Sequence, residues 1–326
     1  MERCTASLSA MPGLAIAVAT LVMVGVSACK SDAQTIRERL QERRAEQTQP
    51  VETQTIQHDG LARKYVVHDF SRGGRAPLVI LLHGGGGNSE NAIQMTQFDA
   101  VARREGLIAV YPEGTSAGGP FMTWNATHCC AHAMEAHIDD VGFISAIIDR
   151  LVGEGKADPK RVYVSGMSNG GMMTHRLGRE LSARIAGIAP VVGAVFGDEA
   201  PPQGPVPAFI IVGAVDQVVP AAGGQLQLRG ILGNRSAADL PVSPATAAAD
   251  YWQRANGCRS SATSTSPAAA ITTWTGCRAD VVYAVIANNG HAWPGGRPGR
   301  QGAAEPSQAW NASEEMWTFF KAHPKP

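Results

Sequence analysis

The sequence has no excess of either charge. Its 28 Lys and Arg balance 28 Asp and Glu, for a formal net charge of zero. Such a chain offers no field to hold a polyanion, so a nucleic acid is not an expected partner. Aromatic residues are scarce at 6%, which leaves few rings for a broad platform gripping a solid polymer. No internal repeat and no second globular pattern are visible. The glycine run Gly84-Gly85-Gly86-Gly87 has no Lys-Ser/Thr after it, which excludes a P-loop phosphate cradle. Before the polar stretch that begins at Lys30, one segment, Met11 to Ala28, is almost wholly apolar and small.

That run ends in Val26-Ser27-Ala28, and with Cys29 these residues resemble a bacterial lipobox. The expectation is a signal peptide over residues 1–28 and a lipidated Cys29, hence an exported protein that is lipid-anchored at the cell envelope or secreted. Contact with a membrane is expected only through this anchor. Arg3 is the single basic residue before the run, a poor n-region, and the alternative is an uncleaved anchor, because about 18 apolar residues just span a bilayer. Residues 29–57 are polar, rich in Gln, Glu and Arg, and read as a tether. The basic cluster Arg37, Arg39, Arg43 and Arg44 reads as its solvated face. The remaining residues, 58–326, are expected to form one catalytic domain.

Of six cysteines, Cys4 leaves with the signal and Cys29 takes the lipid. The other four allow three pairings, and export makes disulfides plausible. Cys258–Cys277 is the expected pair. Gly257-Cys258 ends a helix-like segment and Gly276-Cys277 precedes a strand. A loop of that length is worth roughly 3 kcal/mol. Cys129 and Cys130 then form a vicinal disulfide or stay as thiols.

Beyond the tether, strand and helix patterns alternate. Thr53–Gln57 and Lys64–Asp69 flank a hairpin signal at His58-Asp59-Gly60. Pro77–Leu82 is a short continuous apolar run, the mark of a strand buried on both faces. Further strands are expected at Leu107–Tyr111, Arg161–Ser165, Ile185–Val192, Ala208–Val212 and Val281–Ile286, with helices over Phe98–Glu105, Ile138–Val152 and Ser307–Lys321. Asp139 or Asp140 is placed to cap the second of these helices. The order implies an α/β fold: a mostly parallel central sheet flanked by helices on both faces. Residues 223–249 read as an insertion that could form a lid.

Gly166-Met167-Ser168-Asn169-Gly170 follows the apolar run Arg161–Ser165 and precedes a helix pattern. It reads as a nucleophile elbow, whose glycines avoid collision in a strained turn. A serine needs a base and the base an orienting acid, in the chain order serine, acid, histidine for an α/β-hydrolase. Asp216 ends the run Phe209–Val215, and His291 lies in the loop Asn289-Gly290-His291-Ala292-Trp293-Pro294-Gly295 after the last strand. Asp198 and His323 are weaker placements, one not directly after an apolar strand and the other on the terminal tail. Backbone N–H groups of Asn169 and of the glycine loop, at Gly85, are the expected oxyanion donors.

Together, His83-Gly84-Gly85, Trp124-Asn125 with Cys129-Cys130, Asp139-Asp140-Val141-Gly142-Phe143, Gly166-Met167-Ser168-Asn169-Gly170-Gly171, Asp216 and Gly290-His291-Ala292-Trp293-Pro294-Gly295 resemble a group of secreted esterases. The group joins polyhydroxybutyrate depolymerase-like with feruloyl and acetylxylan esterase-like proteins. The resemblance runs from about residue 55 to residue 320. It implies an α/β-hydrolase fold and a serine carboxylic ester hydrolase that uses Ser168, Asp216 and His291, without metal or organic cofactor. Feruloyl, acetyl or short hydroxyalkanoate esters are the implied substrates, small or oligomeric. No polymer-binding module is visible, so depolymerisation of a solid polyester is the alternative. Trp124 and Trp293 are candidates for the substrate pocket. The tract His128-Cys129-Cys130-Ala131-His132 has zinc-ligand types, but oxidised cysteines are the expected state. A serine peptidase of the prolyl-oligopeptidase type shares the triad order, yet no large extra domain is visible. A non-catalytic binding lipoprotein would not be expected to keep all three site residues.

Overall fold

The computed structural model describes residues 52–227, 241–299 and 302–326. Their frame is a ten-stranded sheet in the order β1-β2-β4-β3-β5-β6-β7-β10-β9-β8. The continuous apolar run forms β3 (Ala76–Leu82), buried along its whole length. Side chains alternate across a strand, so Leu78, Ile80 and Leu82 enter one core while Val79 and Leu81 enter another. A core on each face demands apolar residues at every position, which is why this run does not alternate.

Parallel neighbours flank β3: β4 (Ile108–Pro112) on one side and β5 (Ala157–Met167) on the other. Beyond β5 come β6 (Gly187–Val191), β7 (Ala208–Gly213) and β10 (Val281–Ile286), also parallel. Antiparallel hairpins complete both edges. One is β1 (Glu52–His58) with β2 (Leu61–Asp69), the other β8 (Ser260–Thr265) with β9 (Ala269–Thr275).

Helices cover both faces. α1 (Ser89–Thr96), α2 (Phe98–Glu105) and α7 (Ala312–Ala322) bring Met95, Phe98 and Phe320 to one core. The short α3 (Ala131–Glu135) precedes α4 (Asp140–Gly153), and with α5 (Asn169–Glu180) and α6 (Thr246–Ala255) this layer brings Phe143, Leu177 and Trp252 to the other. Asp139 caps α4 by accepting from Gly142 N–H at 2.8 Å. Asp140 instead turns inward and pairs with Arg63 at 2.6 Å.

Several elements differ from the sequence pattern. The hairpin expected at Thr53–Gln57 and Lys64–Asp69 forms as β1 paired with β2, so the sheet begins at Glu52, within the stretch also read as the end of the tether. The β8–β9 hairpin escapes a hydrophobic pattern because every β8 side chain is exposed. Its rungs are hydroxyl pairs instead, Ser260–Thr275 at 2.9 Å and Thr263–Thr272 at 2.8 Å. The Cys258–Cys277 disulfide closes the open end of this hairpin. α7 starts at Ala312 rather than Ser307, since Asn311 caps it by accepting from Glu314 N–H at 3.0 Å. α1 begins where Asn88 and Asn91 cap each other's backbone. Part of the suggested lid, residues 228–240, lies outside the described residues, and its far end is α6. Cys29, the signal segment and the tether up to residue 51 also lie outside them.

Candidate active site

The loops after β3, β5, β7 and β10 leave the C-terminal ends of parallel strands at the middle of the sheet, where open α/β sheets build their sites. β5 ends at Met167 and α5 begins at Asn169, so Ser168 alone makes the reversal. Its φ of 57° and ψ of −122° are strained for an L-residue. Neighbours hold it there: Ser168 N–H donates to Val191 O at 2.9 Å, and Ser168 O accepts from Met172 N–H at 2.8 Å. The flanking glycines permit the close approach. A Cβ at Gly166 would sit 2.6 Å from Gly170 O, and one at Gly170 would sit 2.7 Å from Leu82 O.

Asp216 lies in the turn beyond β7. Its Oδ1 accepts from Val218 N–H at 2.8 Å and Val219 N–H at 3.0 Å, which leaves Oδ2 2.8 Å from His291 Nδ1. The two side chains are 4% and 10% exposed. A carboxylate only accepts, so Nδ1 donates to Asp216, and in the neutral ring this leaves Nε2 as the acceptor. The loop carrying His291 is braced by buried Asn289, whose Nδ2 donates to Gly290 O at 2.9 Å and Ala292 O at 3.0 Å. Val215 N–H donates to Asn289 O at 3.1 Å and so ties the aspartate turn to the histidine loop. The alternative acid and base are engaged elsewhere: Asp198 with His128 at 2.8 Å, His323 with Asp280 at 2.9 Å.

The glycine loop lies against the elbow. A Cβ at Gly84 would be 3.5 Å from Ser168 Cβ, and one at Gly85 would be 3.7 Å from Asn169 Cβ. His83 fixes the start of the loop. Its Nδ1 pairs with Gly84 O at 2.8 Å, and its Nε2 accepts from Gly114 N–H at 3.0 Å. Burial lowers its pKa to about 4, so the ring is neutral and can both donate and accept.

Ser168 and His291 line one cleft of about 400 Å³. The hydroxyl makes no hydrogen bond to the ring among the described residues. Such contacts often tighten only when substrate binds. The wall is largely apolar, with Met95, Phe121, Met167, Met172, Val219 and Trp293. The disulfide-bonded Cys129 and Cys130 also lie on it.

Of the two tryptophans, Trp293 reaches the cleft while its indole N–H donates to Ser313 Oγ at 3.1 Å. Trp124 does not line the cleft, a correction to its reading as a pocket residue. It is fully buried, and its indole N–H donates to His83 O at 2.9 Å. An indole anchored there supports the glycine loop from behind. His83, Asn289 and Asn169 stand in the motifs quoted above, but the bracing roles of their side chains are not readable from the sequence.

An open, mostly parallel sheet covered by helices, with a serine elbow after β5, defines an α/β-hydrolase. The fold agrees with solved esterases: acetyl xylan esterase from Aspergillus awamori superposes with a TM-score of 0.55 at 12% identity, over 83% of this chain and 99% of that one. Residues 68–202 match the family model described as esterase PHB depolymerase. The putative esterase NocK of Nocardia uniformis subsp. tsuyamanensis is 31% identical over 247 residues, 70% of each chain. Feruloyl esterase B of Piromyces equi is 29% identical, over 69% of this chain and 41% of that protein. The bifunctional acetylxylan esterase/xylanase XynS20E of Neocallimastix patriciarum is 34% identical, over 44% of this chain and 20% of that protein. The chain thus spans less than half of these last two relatives. It belongs to the PHB depolymerase-type esterase family, whose members are carboxylic ester hydrolases.

Proposed function

We propose that this protein hydrolyses carboxylic esters through an acyl-enzyme on Ser168, with His291 as general base and Asp216 as its orienting acid. The observation that carries this reading is the 2.8 Å Asp216–His291 pair beside a serine held at a strained strand–helix turn in the same cleft. Ser168 Oγ attacks the ester carbonyl carbon while His291 Nε2 takes its proton. Negative charge then develops on the carbonyl oxygen, facing the N–H groups of Asn169 and Gly85. The tetrahedral intermediate collapses, and His291 returns the proton to the departing alcohol. Water then attacks the acyl carbon as the same ring takes its proton. The second tetrahedral intermediate collapses, and His291 returns that proton to Ser168 Oγ, which frees the acid and restores the serine.

Short and oligomeric esters, with feruloyl, acetyl or hydroxyalkanoate acyl groups, are the substrates we assign. Relatives named for feruloyl and acetylxylan ester cleavage support the first two. A serine-reactive phosphonate should label Ser168 and no other serine, and Ser168→Ala should lose hydrolysis of p-nitrophenyl butyrate. Labelling elsewhere, or turnover in that variant, contradicts the assignment.

Export with lipid attached at Cys29 belongs to the same reading. Two disulfides in the described domain suit an oxidising compartment. The intact mass of protein made in a bacterial host should show loss of residues 1–28 and gain of a diacylglyceryl group. A retained N-terminus would favour an uncleaved anchor.

A further inference from the structure

Arg297 is the one fully ionised side chain on the cleft wall among the described residues, and no carboxylate joins it there. No ion pair or side-chain hydrogen bond engages its guanidinium among the described residues, although the side chain is exposed. The backbone that carries it is held on both sides. Arg297 N–H donates to Met95 O at 3.1 Å, Gly296 N–H to Trp293 O at 3.0 Å, and Asn91 Nδ2 to Gly299 O at 2.7 Å. Gly296 has no room for a Cβ against Met95 O. A fixed loop six residues beyond His291 thus presents an unpaired, always-charged, planar donor to an otherwise neutral and mainly apolar cleft. Guanidinium groups match carboxylates with two parallel hydrogen bonds.

We infer that Arg297 selects esters bearing a free carboxylate away from the scissile bond, as the chain end of a hydroxy-acid oligomer does. This rests on the esterase reading above and narrows its substrate class. The carboxylate can sit on the alcohol side or on the acyl side of the ester, and two substrate pairs separate these. The first is the 3-hydroxybutyrate dimer against its methyl ester. The second is p-nitrophenyl hemiglutarate against p-nitrophenyl valerate.

The measured quantity is the acid-to-neutral ratio of kcat/KM for each pair, in wild type, Arg297→Gln and Arg297→Lys. In wild type the ratio should exceed unity for one pair, which identifies the side. In Arg297→Gln that ratio should drop by roughly two- to fivefold, the range of one solvent-exposed charge pair. The change should appear mainly in KM, and Arg297→Lys should restore part of it. Raising the salt should shrink the wild-type ratio. A ratio at or below unity for both pairs, or one unmoved by Arg297→Gln, overturns the inference while the esterase reading stands. Absence of turnover on all four esters overturns both.

Discussion

Asn169 grips the backbone of Trp124 with both ends of its side-chain amide. Its Oδ1 accepts from Trp124 N–H at 2.7 Å, and its Nδ2 donates to Trp124 O at 3.0 Å. Trp124 in turn donates its indole N–H to His83 O. The first residue of α5 is therefore linked through one tryptophan to the start of the glycine loop. The two proposed oxyanion donors, Asn169 N–H and Gly85 N–H, sit at the two ends of that link.

Asn169→Asp tests the link. A carboxylate still accepts from Trp124 N–H but sets its second oxygen against Trp124 O. The expected outcome is a kcat lowered by about tenfold or more, together with a loss of roughly 1–3 kcal/mol of stability, the cost of an unsatisfied buried group. Wild-type kcat with a lowered melting temperature would show that the amide is structural only.

The three site residues should behave as one unit. Asp216→Asn and His291→Ala are each expected to lower kcat by roughly 10³-fold or more, and the double variant should be little worse than either. Multiplying losses would place one of them outside the reaction. Single-turnover measurements with p-nitrophenyl butyrate read this directly.

The central parallel strands are legible in the sequence because burial on both faces writes an unbroken apolar run, as in Ala76–Leu82. Ser168 is legible because its glycines are imposed by backbone crowding at one turn, and Asp216 and His291 because each follows such a strand. What stays hidden depends on contacts between distant segments. Trp124 looks like a pocket residue until its indole N–H is traced to His83. β8 carries no apolar face, so only its partner strand and hydroxyl rungs reveal it. The motif Asp139-Asp140-Val141-Gly142-Phe143 shows its logic only when folded. Asp139 caps, Asp140 pairs with Arg63, and Phe143 lies 4.1 Å beneath that guanidinium.

Mild acid should destabilise the fold through two buried rings. Burial lowers His83 to about 4 and His175 to about 3, and the Arg179 charge adds to the second shift. In the unfolded chain both titrate near the ordinary value of about 6.5. Between those limits the unfolded state binds more protons, so stability is full above about pH 6.5 and is lost as pH falls toward 4. Each ring contributes about 1.4 kcal/mol per pH unit within its window. His175→Phe removes one titration. It leaves the Trp252 indole N–H, now 2.9 Å from His175 Nδ1, without its acceptor. The variant should therefore melt lower at neutral pH but lose less on acidification. An unchanged slope of melting temperature against pH would contradict the buried-neutral state.

The hairpin disulfide should act on stability alone. Cys258 and Cys277 bracket β8 and β9 at the sheet edge beyond β10, and neither lines the cleft. Replacing both by serine frees the hairpin ends and should cost up to about 3 kcal/mol by loop entropy. The kcat for p-nitrophenyl butyrate should stay at the wild-type value below the melting transition. A fall in kcat in the folded variant would mean that the hairpin edge is coupled to the His291 loop through β10.

The Arg63–Asp140 pair is a buried ion pair that ties several segments together. Both side chains are buried, 3% and 0% exposed, and the guanidinium also donates to Glu113 O at 3.1 Å. Asp140 Oδ2 accepts from Asn125 N–H at 2.7 Å. The pair thus fastens β2, the end of β4 and the segment after Trp124 to the first turn of α4. Water cannot replace either partner there, so removing one charge leaves the other stranded. Asp140→Asn is expected to cost about 3–5 kcal/mol, whereas replacing both partners with apolar residues of similar volume should cost much less. Chemical denaturation of Asp140→Asn, Arg63→Met and the double variant measures this. Equal losses in the single and double variants would show that packing around Phe143, rather than a stranded charge, sets the cost. Because Asn125 follows Trp124 directly, the singles should also lower kcat through the glycine loop, and the double variant should regain part of it.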